Sequence, residues 1–412
     1  MSQTKMISIV AGMAFSGVAF AGTDGMELRA DAAGRTSALA PAAGYNNGFF
    51  EIGDGANNTL RIGGTTTWRW NMSFRDDQSV GDQDDMTTGF NAPVQRLRFH
   101  GTIWDKALSY KIQGNFSDEN PGGGTLNLEE AWGAYDLENG LTIRWGQQSL
   151  GLHRAQLVDQ EFQQGMGRSV VYTAFSSGYV QGVQLTYAAD MFRIIGGFHD
   201  GIGSQNSDFT AGTEADYALN VRVEVQAMGN DWNRWNDFTS FKSAADNGLL
   251  IGAGVNWQSG GETGGTADVD AFDYTIDAAF EGQGFNIFAA GYGQTIDAGG
   301  PGGDITNFGV EISGGFFVSD QVEIFARYEG IFLDSDAFGD DADTHFLTAG
   351  VNYYMSPDSH AVKFTGQVGY AFSNTDVLFG TGGLISSSTR TGFLGDSEEG
   401  EIQVGAQGQV MW

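Results

Sequence analysis

The sequence predicts an all-β fold, a 16-stranded antiparallel transmembrane β-barrel, and three observations carry that prediction. Apolar and polar residues alternate with period two through windows of about ten residues, the length of a tilted membrane-crossing strand. The connections between windows alternate between tight turns and long loops, as in a barrel with short periplasmic turns and long outer loops. The last window, 401–412, puts Ile402, Val404, Ala406, Val410 and Trp412 on one face and Glu401, Gln403, Gln407 and Gln409 on the other. It ends on an aromatic suited to a membrane interface, the kind of outer row that barrel-assembly machinery reads as a signal.

The elements follow in chain order. Residues 1–21 read as a signal peptide, with Lys5 ahead of an apolar stretch and Ala19-Phe20-Ala21 as a small-x-small cleavage site. Residues 22–58 read as a periplasmic N-terminal leader rich in Ala, Gly and Asn, expected to be mostly irregular or a short helix and too short to plug a large barrel. The barrel is expected over 59–412. In its first window, 59–75, Trp68, Trp70, Met72 and Phe74 alternate with Arg69, Asn71, Ser73 and Arg75. The same period places strands at 93–104, 107–117, 126–136, 140–149, 178–189, 191–199, 216–228, 248–258, 270–282, 284–296, 304–317, 321–333, 343–355, 359–373 and 401–412. Tight turns are expected at Asp105-Lys106, 137–139, 282–283, 319–320 and 356–358. The segment 231–247 breaks the rule on the short-turn side. Its Trp232, Trp235, Phe238 and Phe241 fall at three-residue steps, which reads as a small amphipathic helix covering the rim.

Period two alone does not say which face points inward. The polar face carries Arg, Lys, Glu and Gln at strand centres, and sixteen strands enclose an aqueous lumen rather than a packed interior. The apolar face is therefore expected to meet lipid. The net charge of −31 speaks against nucleic acid as a partner, because no general basic surface is available. The chain has no cysteine, so it offers no thiol nucleophile. Its His residues make no His-Glu-x-x-His pair and its serines no Gly-x-Ser-x-Gly, so no enzyme is expected, and no cofactor.

Charge is distributed unevenly around the expected lumen. Arg61, Arg69, Arg96, Arg98, Lys111, Arg144, Arg193 and Arg222 share the polar parity of the first eight strands. The later strands offer Asp273, Asp277, Glu311, Glu323 and Glu329 instead. A basic wall then faces an acidic one, and rings of arginine favour anions. Arg96, Arg98 and His100 stand on one strand beside Arg69, with too few acids nearby in sequence to pair them all, which predicts a basic ladder in the lumen. The long loop 150–177 carries His153, Arg154, Asp159, Glu161, Phe162 and Arg168. It reads equally as a constriction folded into the pore or as a solvated surface loop. Asp76, Asp77, Asp82, Asp84 and Asp85 make one outer loop acidic, and Asp334, Asp336, Asp340, Asp341 and Asp343 another. The second starts like an EF-hand, but Phe338 fills a ligand position, so no metal site is expected.

The run from Arg96 to Trp104, with Leu108 to Gln113, Leu128 to Tyr135 and Leu141 to Gln147, resembles the phosphate-selective porin O and P family. Leu28 to Ser37 and Trp68 to Asp76 add to the resemblance, which spans roughly residues 28–175. It implies a sixteen-stranded, usually trimeric barrel whose third long loop enters the pore, and an arginine ladder for phosphate carried onto Arg69, Arg96, Arg98 and Arg144. The loop 150–177 holds no lysine, so its basic groups are His153, Arg154 and Arg168. The expectation is an outer-membrane porin that passes small hydrophilic solutes and ions passively, general or mildly selective for anions or phosphate. Its expected partners are outer-membrane lipid and lipopolysaccharide, small solutes or anions, the assembly machinery, and two further copies in a homotrimer. A structural or adhesive barrel with a loop-closed lumen is the alternative.

Overall fold

The computed structural model describes residues 43–46, 49–54, 57–75, 86–117, 125–209, 211, 214–244, 246–260, 269–297, 303–339, 342–380, 384–385 and 390–412. The expected signal peptide, most of the leader, and Asp76, Asp77, Asp82, Asp84, Asp85, Asp340 and Asp341 lie outside them. Sixteen strands make the wall: β1 Thr59–Phe74, β2 Gln95–Ile103, β3 Asp105–Asn115, β4 Asn127–Asp136, β5 Leu141–Ser149, β6 Tyr179–Ala188, β7 Phe192–His199 and β8 Tyr217–Met228. The second half is β9 Gly248–Ser259, β10 Asp270–Gly282, β11 Phe285–Asp297, β12 Ile305–Phe317, β13 Val322–Phe332, β14 Thr344–Tyr354, β15 Val362–Ala371 and β16 Ile402–Met411. Each pairs antiparallel with its chain neighbour, and β16 closes on β1 from Ile402 opposite Phe74 to Met411 opposite Thr65.

The barrel is inside-out. Along β8, Leu219, Val221, Val223 and Val225 are exposed while Asn220, Arg222, Glu224 and Gln226 are buried. β-branched residues suit the pleat, and only a lipid solvent makes this arrangement favourable, since apolar surface gains nothing by facing water. At the seam, Gly64 N–H donates to the Trp412 carbonyl at 2.7 Å and Trp412 N–H donates back at 3.0 Å. A Cβ on Gly64 would stand 2.4 Å from the Arg96 carbonyl oxygen of β2 and 2.8 Å from the Trp412 ring, so β1 fits between β2 and the chain's end only because that side chain is missing.

Two expectations need correction here, the β2–β3 turn and the loop 76–92. The described part of the leader, expected to be mostly irregular, holds a short hairpin. Ala43–Asn46 and Phe49–Gly53 form a hairpin, and Phe49–Gly53 pairs with the start of β1, from Gly53 opposite Thr59 to Phe50 opposite Ile62. It continues the wall beyond the end of β16, because the first four residues of β1 would otherwise leave an open edge. The β2–β3 turn is not Asp105-Lys106, which already lie in β3. It turns on Trp104 at φ +64°, a left-handed position the two-residue expectation missed. The loop 76–92 is partly strand: Met86–Asn91 pairs with the far end of β1, and the wall resumes as β2 after a break at Pro93.

Among the described residues, the larger apolar cluster lies inside the barrel against the later strands. Phe288, Tyr292, Ile331 and Phe346 point inward from β11, β13 and β14. Against them pack Val170, Val171 and Phe175 from the loop after β5, Trp235 and Phe238 from the β8–β9 connection, and Phe379 and Phe393 from the β15–β16 connection. The β8–β9 connection covers the rim as expected, with a single 3-10 turn, Trp232–Asn236, in place of a longer helix. It lies along the tight turns, with Gly284 N–H donating to the Phe241 carbonyl at 3.2 Å, Ser243 to Asp358 at 2.6 Å and Lys242 3.6 Å from Asp320, while its aromatics reach inward. Trp235 is fully buried, with its Nε1 donating to Gln226 at 2.7 Å. Phe238 N–H donates to the Phe162 carbonyl at 3.2 Å, and Asp237 reaches His360 near β15 at 2.8 Å. The physical reason is the aromatic content of both faces of the later strands: inward Phe288 and Tyr292 need apolar partners, which the connection supplies.

Candidate functional site

The loop between β5 and β6 enters the barrel and crosses it as a strut. It is built from a helical turn, Arg154–Leu157, a 3-10 turn, Gln160–Phe162, and a short helix, Val170–Ala174. Ser169 caps that helix, its Oγ accepting from Tyr172 N–H at 2.9 Å. Of the two readings left open by the sequence, the inward one is what the structure shows.

One end of the strut is acidic and docks on the basic wall. Glu161, fully buried, takes Arg96 Nη1 at 2.9 Å and Arg98 Nη2 at 2.5 Å. Arg96 is also clamped by Glu129 at 2.7 and 3.2 Å, and Arg98 Nε donates to Gln113 at 2.6 Å. Asp159 sits 3.7 Å from Arg98. Burial alone would raise the Glu161 carboxyl, but the guanidiniums of Arg98 and Arg96 more than offset it and hold it well below the usual carboxylate range. Asp159 is likewise lowered, with burial opposed by Lys111 and Arg98. The other end docks on the acidic wall through neutral donors. Gln164 Nε2 donates to Glu323 at 2.8 Å, Ser169 Oγ to Glu311 at 2.7 Å and Val171 N–H to Glu329 at 3.1 Å.

Wall cations hold the strut's carbonyls as well. Arg69 donates to Met166 O, and to Gln407 at 3.0 Å. Lys363 donates to the carbonyls of Glu161 and Gln163 at 3.2 and 2.8 Å, and Arg222 to Leu152 at 3.0 Å. Within the loop, Arg154 donates to the carbonyls of Trp235 and Asp237, tying the strut to the β8–β9 connection. Burial lowers the Arg154 guanidinium to about 10, against the raising effect of Glu224, Glu281 and Asp277. His153 is pushed down to about 3 by burial and by Arg222, so it is neutral at physiological pH.

The expected ladder of uncompensated cations is thereby corrected. Besides Arg96 and Arg98, Arg61 pairs with Glu51 of the leader hairpin at 2.6 Å, Lys111 with Glu130, and Arg193 with Glu224 at 2.5 Å. Arg222 bridges Asp277 at 2.7 Å and Glu224 at 3.0 Å, and Arg327 meets Glu329 at 2.9 Å. Asp273 accepts from Asn256 at 3.0 Å and Gln294 at 2.8 Å, with no cation on it among the described residues. The acids for Arg96 and Lys111 come from β4. The register slips between Gln113 and Gly114, so Glu129 and Glu130 are both buried although they are adjacent in sequence. Strict alternation sends one of them outward, which is why sequence reasoning missed them.

Two predicted cations that line open space have no ion pair among the described residues. Arg144 lies over the Trp132 ring at 4.4 Å, and no acceptor meets its Nε. Arg168 lies over Tyr172 at 5.2 Å and gives two donors to the Ala155 and Val158 carbonyls at 2.9 and 3.0 Å. Both line a cavity of about 420 Å³ between the strut and the wall of β2 to β7. Arg96, Lys111, Arg193 and Arg390 line it too, against the carboxylates of Glu129, Glu130 and Asp159. Among the described residues, the apolar core packs against the later strands and this cavity lies against the basic wall.

Solved structures share this architecture. The chain superposes on an anion-selective porin from Comamonas acidovorans with a TM-score of 0.62 at 13% identity, covering 86% of this chain and 100% of that one. The fold is that of the bacterial porins. The outer-membrane-expressed OmpT of Vibrio cholerae gives a TM-score of 0.54 at 15% identity over 86% of this chain and 98% of that one. A trimer form of OmpT, folded in vitro, gives 0.56 at 14% identity over 86% and 100%. No protein-family model matches the sequence, and no curated protein matches it either.

Proposed function

We propose that this chain is a passive outer-membrane channel that prefers anions. The observation that carries the reading is the placement of Arg144 and Arg168: two guanidiniums without ion pairs face the open space of an inside-out barrel. Six basic side chains line that space against three carboxylates, with Glu161 and Glu224 paired behind Arg96 and Arg193, so a permeating anion meets a wall with a small positive excess, carried by Arg144 and Arg168. The anion selectivity named for the Comamonas porin is the behaviour this wall supports. The resemblance to phosphate-selective porins points further, to phosphate. Glu129, Glu130 and Asp159 in the same cavity favour singly charged anions over a dianion.

Outer-membrane lipid and lipopolysaccharide around the apolar belt, export by a cleaved signal peptide, assembly through the row ending at Trp412, and a homotrimer belong to the same proposal. The inward core supports a second reading, a structural barrel with a closed lumen. Reconstitution in planar bilayers separates the two. Discrete ion steps with a reversal potential on the anion side support the channel. An intact, folded barrel that gives no steps supports the closed lumen.

A further inference from the structure

We propose that the cavity beside Arg144 and Arg168 is a saturable binding site for small hydroxylated carboxylates, sugar acids in chemical class. The inference rests on the channel reading for its biological sense, but the site is defined by its own geometry. A guanidinium in a low-dielectric interior is ordinarily neutralised by a carboxylate, as Arg96 is by Glu129 and Glu161. Arg144 and Arg168 are held differently. Trp132 positions Arg144 from beneath its plane, and Glu130 fixes the indole by accepting from Trp132 Nε1 at 3.1 Å. Tyr172 positions Arg168, and Ser176 Oγ donates to its hydroxyl at 3.1 Å. An aromatic face orients a guanidinium while leaving its charge unneutralised. Arg144 keeps both its Nη groups for a ligand, whereas Arg168 spends Nε and one Nη2 donor on the Ala155 and Val158 carbonyls and keeps Nη1. The result is one preorganised fork whose geometry matches a carboxylate, with a second cation beside it.

The rest of the lining decides the class. Gln184 and Gln205 give their Nε2 groups to the Leu150 and Leu128 carbonyls at 3.3 and 2.9 Å, which turns each Oε1 to the cavity as an acceptor. Acceptors of this kind suit a ligand with several hydroxyl donors, where phosphate brings one or two and a halide none. Glu129, Glu130 and Asp159 repel a doubly charged ligand more than a singly charged one. At about 420 Å³ the space falls in the range of roughly 300–1,000 Å³ usual for small-molecule sites.

The test is a binding titration on the refolded full chain in detergent, read by intrinsic tryptophan fluorescence and by calorimetry, with gluconate, glucose and inorganic phosphate as probes. Gluconate is expected to bind saturably and glucose without saturation, since a charge-assisted hydrogen bond contributes roughly a factor of ten or more; phosphate is expected to bind more weakly than gluconate, because it brings fewer hydroxyl donors to the lining acceptors. Arg144→Gln is expected to weaken gluconate at least about tenfold, and Arg144→Lys, which keeps the charge but not the fork, several-fold. Arg168→Gln on the strut gives an independent variant outside the strands. Phosphate binding as tightly as gluconate, or gluconate affinity unchanged in both glutamine variants, overturns the proposal. Conductance is measured separately: binding without ion steps refutes the channel and leaves the site, while anion-selective steps without saturable binding refute the site and leave the channel.

Discussion

Glu161 is the group on which the strut's position depends most. Its carboxylate lies between Arg96 and Arg98 at 2.9 and 2.5 Å and is fully buried, as is the Arg96 side chain. Glu161→Gln keeps the size and removes the charge. Removing one partner of a buried ion pair costs about 3–5 kcal/mol, because the other charge is left uncompensated. Arg96 retains Glu129 and Arg98 retains Asp159 at 3.7 Å, which places the loss near the lower end, about 3 kcal/mol. The same substitution adds one net positive charge beside the open cavity. Two readouts follow: a lower unfolding temperature, followed by circular dichroism in detergent and by the heat-modified mobility of the folded barrel, and a reversal potential shifted toward anions. The depressed carboxyl also sets a pH signature. The stabilisation is complete above the ordinary carboxylate range and is lost as pH falls below it, toward the depressed value. The variant should therefore be flatter than the parent in strong acid. If Glu161→Gln leaves both the unfolding temperature and the reversal potential where they were, the strut is not held by this charge cluster.

Other outcomes follow from the same geometry. Trp235→Ala empties a buried indole site that Gln226 and the Arg154–Trp235 contact depend on, at a cost of about 3–5 kcal/mol, and should raise single-channel conductance by loosening the β8–β9 connection. Unchanged conductance in a folded variant would show that this segment does not restrict the lumen. Gly64→Val forces a Cβ into the Arg96 carbonyl of β2 and the Trp412 ring at the seam, and the yield of closed, heat-modifiable barrel should drop sharply in refolding assays. His153 is held neutral by burial, so it favours folding above the ordinary histidine value near 6.5 and progressively less as pH falls toward about 3. Between pH 7 and 5 the loss is on the order of 2 kcal/mol, and His153→Gln should remove that slope from the unfolding curve.

What the sequence determined by itself is the wall. Alternation is a local property of a strand, so Leu219 to Val225 against Asn220 to Gln226 specifies β8 and its two faces without any knowledge of neighbours. The same holds for β16, whose buried Gln403, Gln407 and Gln409 fall on the expected face. A trace of the inner core was legible too: Phe288 and Tyr292 share the polar parity of Asn286 and Gln294, a sign that the lumen is packed on that side. The bulge that turns both Glu129 and Glu130 inward left no such mark, because it arises from how β3 and β4 register against each other. The fate of the charges was decided only in three dimensions. Arg96, Arg98 and Glu161 lie 63 to 65 residues apart in the chain and meet because the loop folds back through the barrel. Electrostatic pairing acts over a few ångströms of space and not over sequence, so the structure alone separates arginines that brace the strut from Arg144 and Arg168, which face the open cavity.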